Sequence, residues 1–250
     1  CGKGMEPIFK KAYDELAKKM NCPDNRMGMK REAIADRGIW TAKKRYILNV
    51  HNNEGVQYAK PKIKVMGIEA VKSSTPGVCR DALKKMFEVI MTKTEAEAQE
   101  EVSKFREHFF SLPPEDVAFP RSASDISGYA RVTDIYASGT PIHVRGCLLF
   151  NRMLRDRGLE NKYQLLKNGE KIKFIYLRTP NPIQENVISF SDILPKELGL
   201  HNYIDYDTQF EKTYLDPLEI IFEAIGWKRE QTSSLEEDRK STRLNSSHRT

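Results

Sequence analysis

The sequence predicts an α+β protein in two parts, and three observations carry that expectation. Residues 5–20, MEPIFKKAYDELAKKM, place Ile8, Phe9, Ala12, Tyr13, Leu16, Ala17 and Met20 at helical spacing with lysines opposite. From there to about residue 70, short β-branched and aromatic runs alternate with turn residues. That part reads as one helix plus antiparallel strands, an α+β unit lacking its other half. Beyond residue 73 helical stripes dominate, broken by a strand at 171–177, KIKFIYL.

In the first helix, Pro7 fits a first turn, and Asn21 with Pro23 marks the end. Residues 27–35 and 39–50 are expected as two strands joined at Asp36-Arg37-Gly38. Asn52-Asn53-Glu54-Gly55 forms a second turn, residues 56–59 pair back, and residues 62–67 alternate charged and apolar. On a strand over 39–50, IWTAKKRYILNV, Lys44 and Tyr46 share a face with Ala42 and Leu48, and Lys43 and Arg45 share the other.

Ser73-Ser74-Thr75-Pro76 starts a helix, hydroxyl caps preceding proline, with Val78, Ala82, Leu83, Met86, Val89 and Ile90 as its stripe. A second helix at 95–110 carries Ala98, Val102, Phe105 and Phe109, stops at Leu112-Pro113-Pro114, and completes a helical hairpin. Residues 116–129 are loop-like, with a short helix at 124–129. Residues 142–157, IHVRGCLLFNRMLRDR, form a helix on Leu148, Leu149 and Met153, and Asn168-Gly169 is a turn. A further strand is expected at 187–190 and a final helix at 210–225, ended by Gly226.

At 250 residues the chain holds one or two domains with a sizeable core. No apolar run approaches the roughly 20 residues that cross a bilayer, so no membrane partner is expected. The start, Cys-Gly-Lys-Gly, shows no signal peptide and suggests the middle of a longer protein. Of the formal charge of +6, residues 238–250 (DRKSTRLNSSHRT) supply +3, with four Lys/Arg and one Asp. That string resembles a translated sequencing-adapter oligonucleotide and is set aside as an artefact, expected to be disordered. Mild basicity alone says little, so local clustering must carry any nucleic-acid argument. Cys1, Cys22, Cys79 and Cys147 are widely spaced, which argues against a zinc site or a disulfide framework and for a reduced, cytoplasmic setting.

The basic cluster at 43–45 alone is equally a solvated strand edge. Its company separates the readings: KREAIAD (30–36), TAKKRY (41–46) and MGIEAVKSSTP (66–76) together resemble the C-terminal third of a family B DNA polymerase of tailed phages. The resemblance covers nearly all of residues 1–237. It implies the end of the palm over 1–72 and the thumb over 73–237, mostly helical with a small β subdomain. The implied partner is primer–template DNA, and for a phage protein the setting is the host cytoplasm.

A polymerase holds a primer end without reading its sequence, and minor-groove acceptors, similarly placed on every pair, allow this. A lysine, with three rotatable donors and no acceptor, suits the task. By resemblance Lys44 and Lys72 match the family lysines that reach those acceptors, with Arg45 and Tyr46 on the primer backbone and the local turn, Lys43 a further DNA-binding candidate, and Ser74 and Thr75 beside Lys72. Read alone, Lys72 is better explained as a solvated loop lysine; the flanking SSTP turns the reading toward DNA. Glu32 matches a carboxylate near the catalytic centre, in a supporting role; its alternative is a strand-face glutamate paired with Lys30, Arg31 or Arg45.

PIHVRG (141–146) resembles a primer-strand contact, which makes His143 and Arg145 phosphate-binding candidates and Gly146 a point of close approach. Lys212 matches another thumb lysine. Asp216, Gly128, Gly139 and Asn186 stand where the family pattern has lysines, so several phosphate contacts are missing. The family's metal-binding aspartates lie in DxxSLYPS and YxDTDS, neither of which occurs here. Mg2+ therefore belongs to the parent enzyme, with no metal ligands and no catalysis expected in this stretch alone. Residues 233–237 resemble the approach to a sliding-clamp peptide, so clamp binding is implied for the full enzyme and expected absent here. Two rivals stay open: a stand-alone, non-catalytic nucleic-acid-binding α+β module, and an interaction protein whose lysines serve solubility.

Overall fold

The computed structural model describes residues 2–229 apart from 69, 71, 132 and 133. Cys1, the clamp-peptide approach at 233–237 and the string at 238–250 lie outside the described residues. The fold is α+β, with two three-stranded antiparallel sheets, and divides into two compact units at Met66/Gly67.

The first unit opens with helix α1, Gly2–Lys19. Pro7 therefore sits inside the helix rather than in its first turn. The apolar stripe expected to pack a core is largely open. Ile8 is 58% exposed and Leu16 45%, and Ala17 is the buried apolar side chain of the helix. Helical spacing shows which face is apolar, not whether a three-stranded sheet is broad enough to cover it.

Strand β1, Ala33–Ala42, pairs with β2, Arg45–Asn53, which pairs with β3, Val56–Met66. Two expectations fail here. Asp36-Arg37-Gly38 lies within β1 and is no turn, and the run 39–50 is two strands, reversed at Lys43-Lys44. Gly38 serves packing instead: a Cβ there would come within 2.7 Å of the Trp40 ring and 2.8 Å of Leu48 Cδ2. At the next reversal Glu54 (φ 49°) and Gly55 (φ 92°) are both left-handed, as a two-residue hairpin matched to strand twist requires. β3 runs unbroken through Pro61, which an edge strand tolerates, and the ladder to β2 skips from Lys62 to Gln57 around it.

In the second unit, α2 (Gly77–Thr92) has Pro76 at its N-cap and no hydroxyl cap, so Ser73, Ser74 and Thr75 serve elsewhere. α3 (Glu95–Ser111) begins with a reciprocal Thr94–Glu97 capping box and buries Ala98, Val102, Phe105 and Phe109 as the stripe requires. A short α4 (Pro114–Val117) leads into β4 (Phe119–Ser122), a strand the sequence hid because it is four residues long and contains Pro120. α5 (Ile126–Tyr129) and α6 (Ile142–Asp156) follow, then β5 (Lys171–Tyr176) and β6 (Val187–Phe190); the sheet order is β4-β5-β6.

The last helix starts earlier than expected, as α7 at Tyr206, passes through a π-helical turn at Glu211–Leu215 and continues as α8, Asp216–Ile225. Pro217 explains the wide turn: it cannot donate in the ordinary i→i−4 ladder, and Asp216 N–H bonds Glu211 O one residue farther back. Gly226, at φ 75°, closes the helix, its N–H bonding Glu223 O while that of Trp227 bonds Phe222 O.

Phe105, Phe109, Phe210 and Tyr214 knit α3 to this helix through tilted and edge-on rings 4.6–6.0 Å apart. Burial pushes the Cys79 and Cys147 thiols up to about 12, so neither is a thiolate at neutral pH.

One acid-sensitive contact arises here. Lys162 is bonded to the Glu197 carboxylate, and with further bonds from the backbone and Tyr163 it holds that carboxyl down to about 2. A carboxyl depressed by folding stabilises the fold above its ordinary value near 4.5, and that contribution disappears as pH falls toward 2. Carbon-detected NMR titration is expected to show Glu197 still ionised at pH 3. Acid unfolding of Glu197→Gln is expected to differ from the parent above that window and converge with it below.

Candidate functional site

Candidate residues of the first unit gather at the β1–β2 reversal. Ala42 pairs with Arg45, leaving Lys43 and Lys44 as exposed tip residues. The alternation expected for a continuous strand therefore does not apply to the two lysines; both project from the turn. Lys44 adopts φ 62°, the left-handed region that a β-carbon makes costly. Tyr46, half-buried, stands opposite Trp40, which is 66% exposed. The exposed indole of Trp40 is a surface feature that spacing alone does not single out.

Glu32 precedes β1 and is ion-paired with Lys64 of β3, not with Lys30, Arg31 or Arg45. That bond holds its carboxyl below the usual range and raises the lysine. Glu32 lines an open hollow of about 800 Å³ with Glu6, Lys30, Arg31, Glu54 and Gly55, a wall of mixed charge.

Within the second unit, four elements converge on a cleft of about 410 Å³. Lys72, Ser74 and Thr75 come from the loop before α2, His143 from the start of α6, and Lys212 from the π-helical turn; one sheet face forms the floor. Period-two geometry puts Phe119 and Arg121 of β4 on that face, with Phe174 and Tyr176 of β5. Phe119 and Phe174 are cross-strand partners with rings stacked 5.1 Å apart. Five candidates, separated by up to 140 positions in sequence, thus share one wall, and no Asp or Glu is among its described residues.

The polar groups of this cleft are not equivalent. Burial and the nearby Arg121 charge lower His143 from its ordinary 6.5, so it is a neutral imidazole at neutral pH. Lys212 is ion-paired with Asp216 at 3.0 Å, which raises its pKa. Arg121, half-buried over both phenyl rings, donates to Ser74 O at 2.8 Å. No sequence motif marked it: the segment around it is loop-like, and the sheet alone brings it to the site.

Arg145 is not part of this wall. Two positions along α6 from His143, it points elsewhere, where it donates to Asn186, pairs with Glu185 at 3.7 Å and lies over the Tyr136 ring. Gly146 does permit a close approach, and the group that approaches is β6: an added Cβ would lie 2.7 Å from Ser189 N and 3.0 Å from Ile188 C.

Among the described residues no three His, Cys, Asp or Glu side chains stand close enough to hold a metal ion. None of the described helices is long and apolar enough to cross a membrane.

No protein-family model matches the chain. Individual relatives do. The chain is 33% identical over 248 residues to the DNA-directed DNA polymerase of Enterobacteria phage T4, which covers 94% of this chain and 27% of that protein. It is 35% identical over 245 residues to the DNA-directed DNA polymerase of Escherichia phage RB69, covering 92% and 26% respectively. The chain spans about a quarter of the length of these relatives. Along nearly all of its own length, then, the chain is similar to part of these two phage DNA-directed DNA polymerases.

Proposed function

We propose that this chain is the end of the palm and the thumb of a DNA-directed DNA polymerase, and that it grips primer–template duplex rather than performing chemistry. The observation that carries the reading is the carboxylate-free cleft of the second unit, where Lys72, Arg121, His143 and Lys212 gather from separate elements. A backbone phosphate suits such a wall: ammonium and imidazole donors meet its oxygens, and the Asp216 carboxylate beside the cleft is offset by its ion pair with Lys212.

Lys212 is already engaged by Asp216, which weakens it as a donor. His143, neutral in the free chain, offers a ring N–H. Lys72 and, from the first unit, Lys44 are the donors proposed for minor-groove acceptors near the primer end, with Lys43, Arg45 and Tyr46 along the backbone. Glu32, tied to Lys64, keeps at most the supporting role proposed for it near the catalytic centre.

Synthesis would require the longer enzyme. Its divalent metal, proposed as Mg2+, needs carboxylate ligands that the described residues do not supply. A sliding clamp as partner and action in the host cytoplasm belong to the same proposal.

The test is binding of the 250-residue chain to labelled primer–template and to blunt duplex of equal length, by fluorescence anisotropy over a salt series. Primer–template is expected to bind more tightly, and log affinity to fall with log salt by about 0.9 per phosphate engaged. Lys72→Ala should lose roughly tenfold of the preference, the worth of one charge-assisted hydrogen bond of about 1.5–3 kcal/mol at its lower end. Equal affinity for both DNAs would fit the stand-alone module instead. Salt-insensitive binding, or none, would fit lysines that serve only solubility.

A further inference from the structure

We infer that Arg121 is a positioning residue: it fixes the 72–75 turn and thereby the direction in which Lys72 leaves the backbone. The inference rests on the duplex-gripping reading of the cleft. The turn is closed locally by the Thr75 N–H on Lys72 O, at 3.2 Å. Its second tie comes from 47 positions away in sequence, where Arg121 Nη1 donates to Ser74 O at 2.8 Å and to Pro120 O at 2.9 Å.

The guanidinium is itself held. Its carbon lies 5.5 Å from the Phe119 ring centroid and 5.7 Å from that of Phe174, and those two rings are stacked. A planar cation lying over paired phenyl rings has little freedom to swing, so the carbonyl it grips is fixed with respect to the sheet.

The assignment explains two otherwise separate facts. Ser73, Ser74 and Thr75 do not cap α2, whose N-cap is Pro76 without a side-chain bond; the segment is instead anchored through its own carbonyls. Arg121 is also lowered in pKa by burial, as a cation turned toward protein rather than solvent is. A lysine would not stand in for it, since an ammonium is a compact point charge without the planar, delocalised cation that lies over the two rings.

The experiment compares the primer–template to blunt-duplex affinity ratio for the parent chain, Arg121→Met, Arg121→Lys, Lys72→Ala and the double variant Arg121→Met/Lys72→Ala. Each is measured at several salt concentrations, with thermal melting in parallel. If Arg121 acts through the turn, Arg121→Met lowers the ratio about as far as Lys72→Ala, and the double variant falls no further. Arg121→Lys fails to restore the ratio, and the salt slope stays that of the parent.

Losses that multiply, with a slope shallower by about 0.9, would make Arg121 a phosphate ligand and overturn the inference. An unchanged ratio with a lowered melting temperature would reduce it to a structural residue and overturn it too. Should Arg121→Met not fold, Arg121→Lys decides alone, and a parental ratio in that variant counts against the inference. No preference in the parent chain would remove both this inference and the duplex reading; a preference that Arg121→Met retains removes only this one.

Discussion

Gly146→Ala is expected to lower the stability of the second unit by about 1–3 kcal/mol, the usual cost of forcing one extra carbon into a filled interior. For a chain of this size that is a fall of roughly 2–12 °C in melting temperature. The cause is local and steric. The added carbon would meet Ser189 N at 2.7 Å and Ile188 C at 3.0 Å, both main-chain atoms of β6 that no rotamer change can move aside. Helix α6 would have to lift off the sheet, and the bond from Ser189 Oγ to His143 O, 2.8 Å long, would stretch with it. His143 belongs to the same stretch of α6, so primer–template affinity should weaken together with stability. Circular-dichroism melting and the anisotropy assay above read both effects. A variant that melts like the parent would mean that α6 and β6 are farther apart than described.

Lys44→Gly is expected to separate the fold from its use. Lys44 holds φ 62°, a conformation that costs a side-chain-bearing residue about 1–3 kcal/mol, and glycine adopts it freely. Glycine should therefore leave the hairpin as stable as before or more so, while removing the ammonium proposed to meet the primer terminus. Lys44→Ala removes the same ammonium and keeps the backbone penalty. Both variants should lose roughly tenfold in preference for primer–template, the effect of one charge-assisted bond. Only the glycine variant should gain stability against urea. If Lys44→Gly gains stability and keeps the full preference, the lysine at this turn is a surface charge and the minor-groove proposal for it fails.

A lysine retained in a left-handed turn sits where local chemistry argues against it, and that conflict between local propensity and global arrangement is expected at functional sites. The sequence could not show the conflict, because the turn itself was misplaced. Asp36-Arg37-Gly38 carries stronger turn composition than Lys43-Lys44, yet pairing of Ala42 with Arg45 and of Trp40 with Tyr46 moved the reversal seven residues on. Gly38 turned out to make room for the Trp40 ring.

Local spacing was sufficient for α3, whose four apolar positions are all buried, and for the strand expected at 171–177, which forms over Lys171–Tyr176. It was also sufficient for the resemblance, because KREAIAD, TAKKRY and MGIEAVKSSTP are contiguous strings that can be read without the fold. The cleft needed the fold: Lys72, Arg121, His143 and Lys212 meet through sheet pairing and helix packing between segments far apart in the chain. What a side chain faces is likewise set by its neighbours in space. Hence the Met5–Met20 stripe foretold a helix but not its open apolar face, and PIHVRG named Arg145 although Glu185 and Asn186 hold it elsewhere.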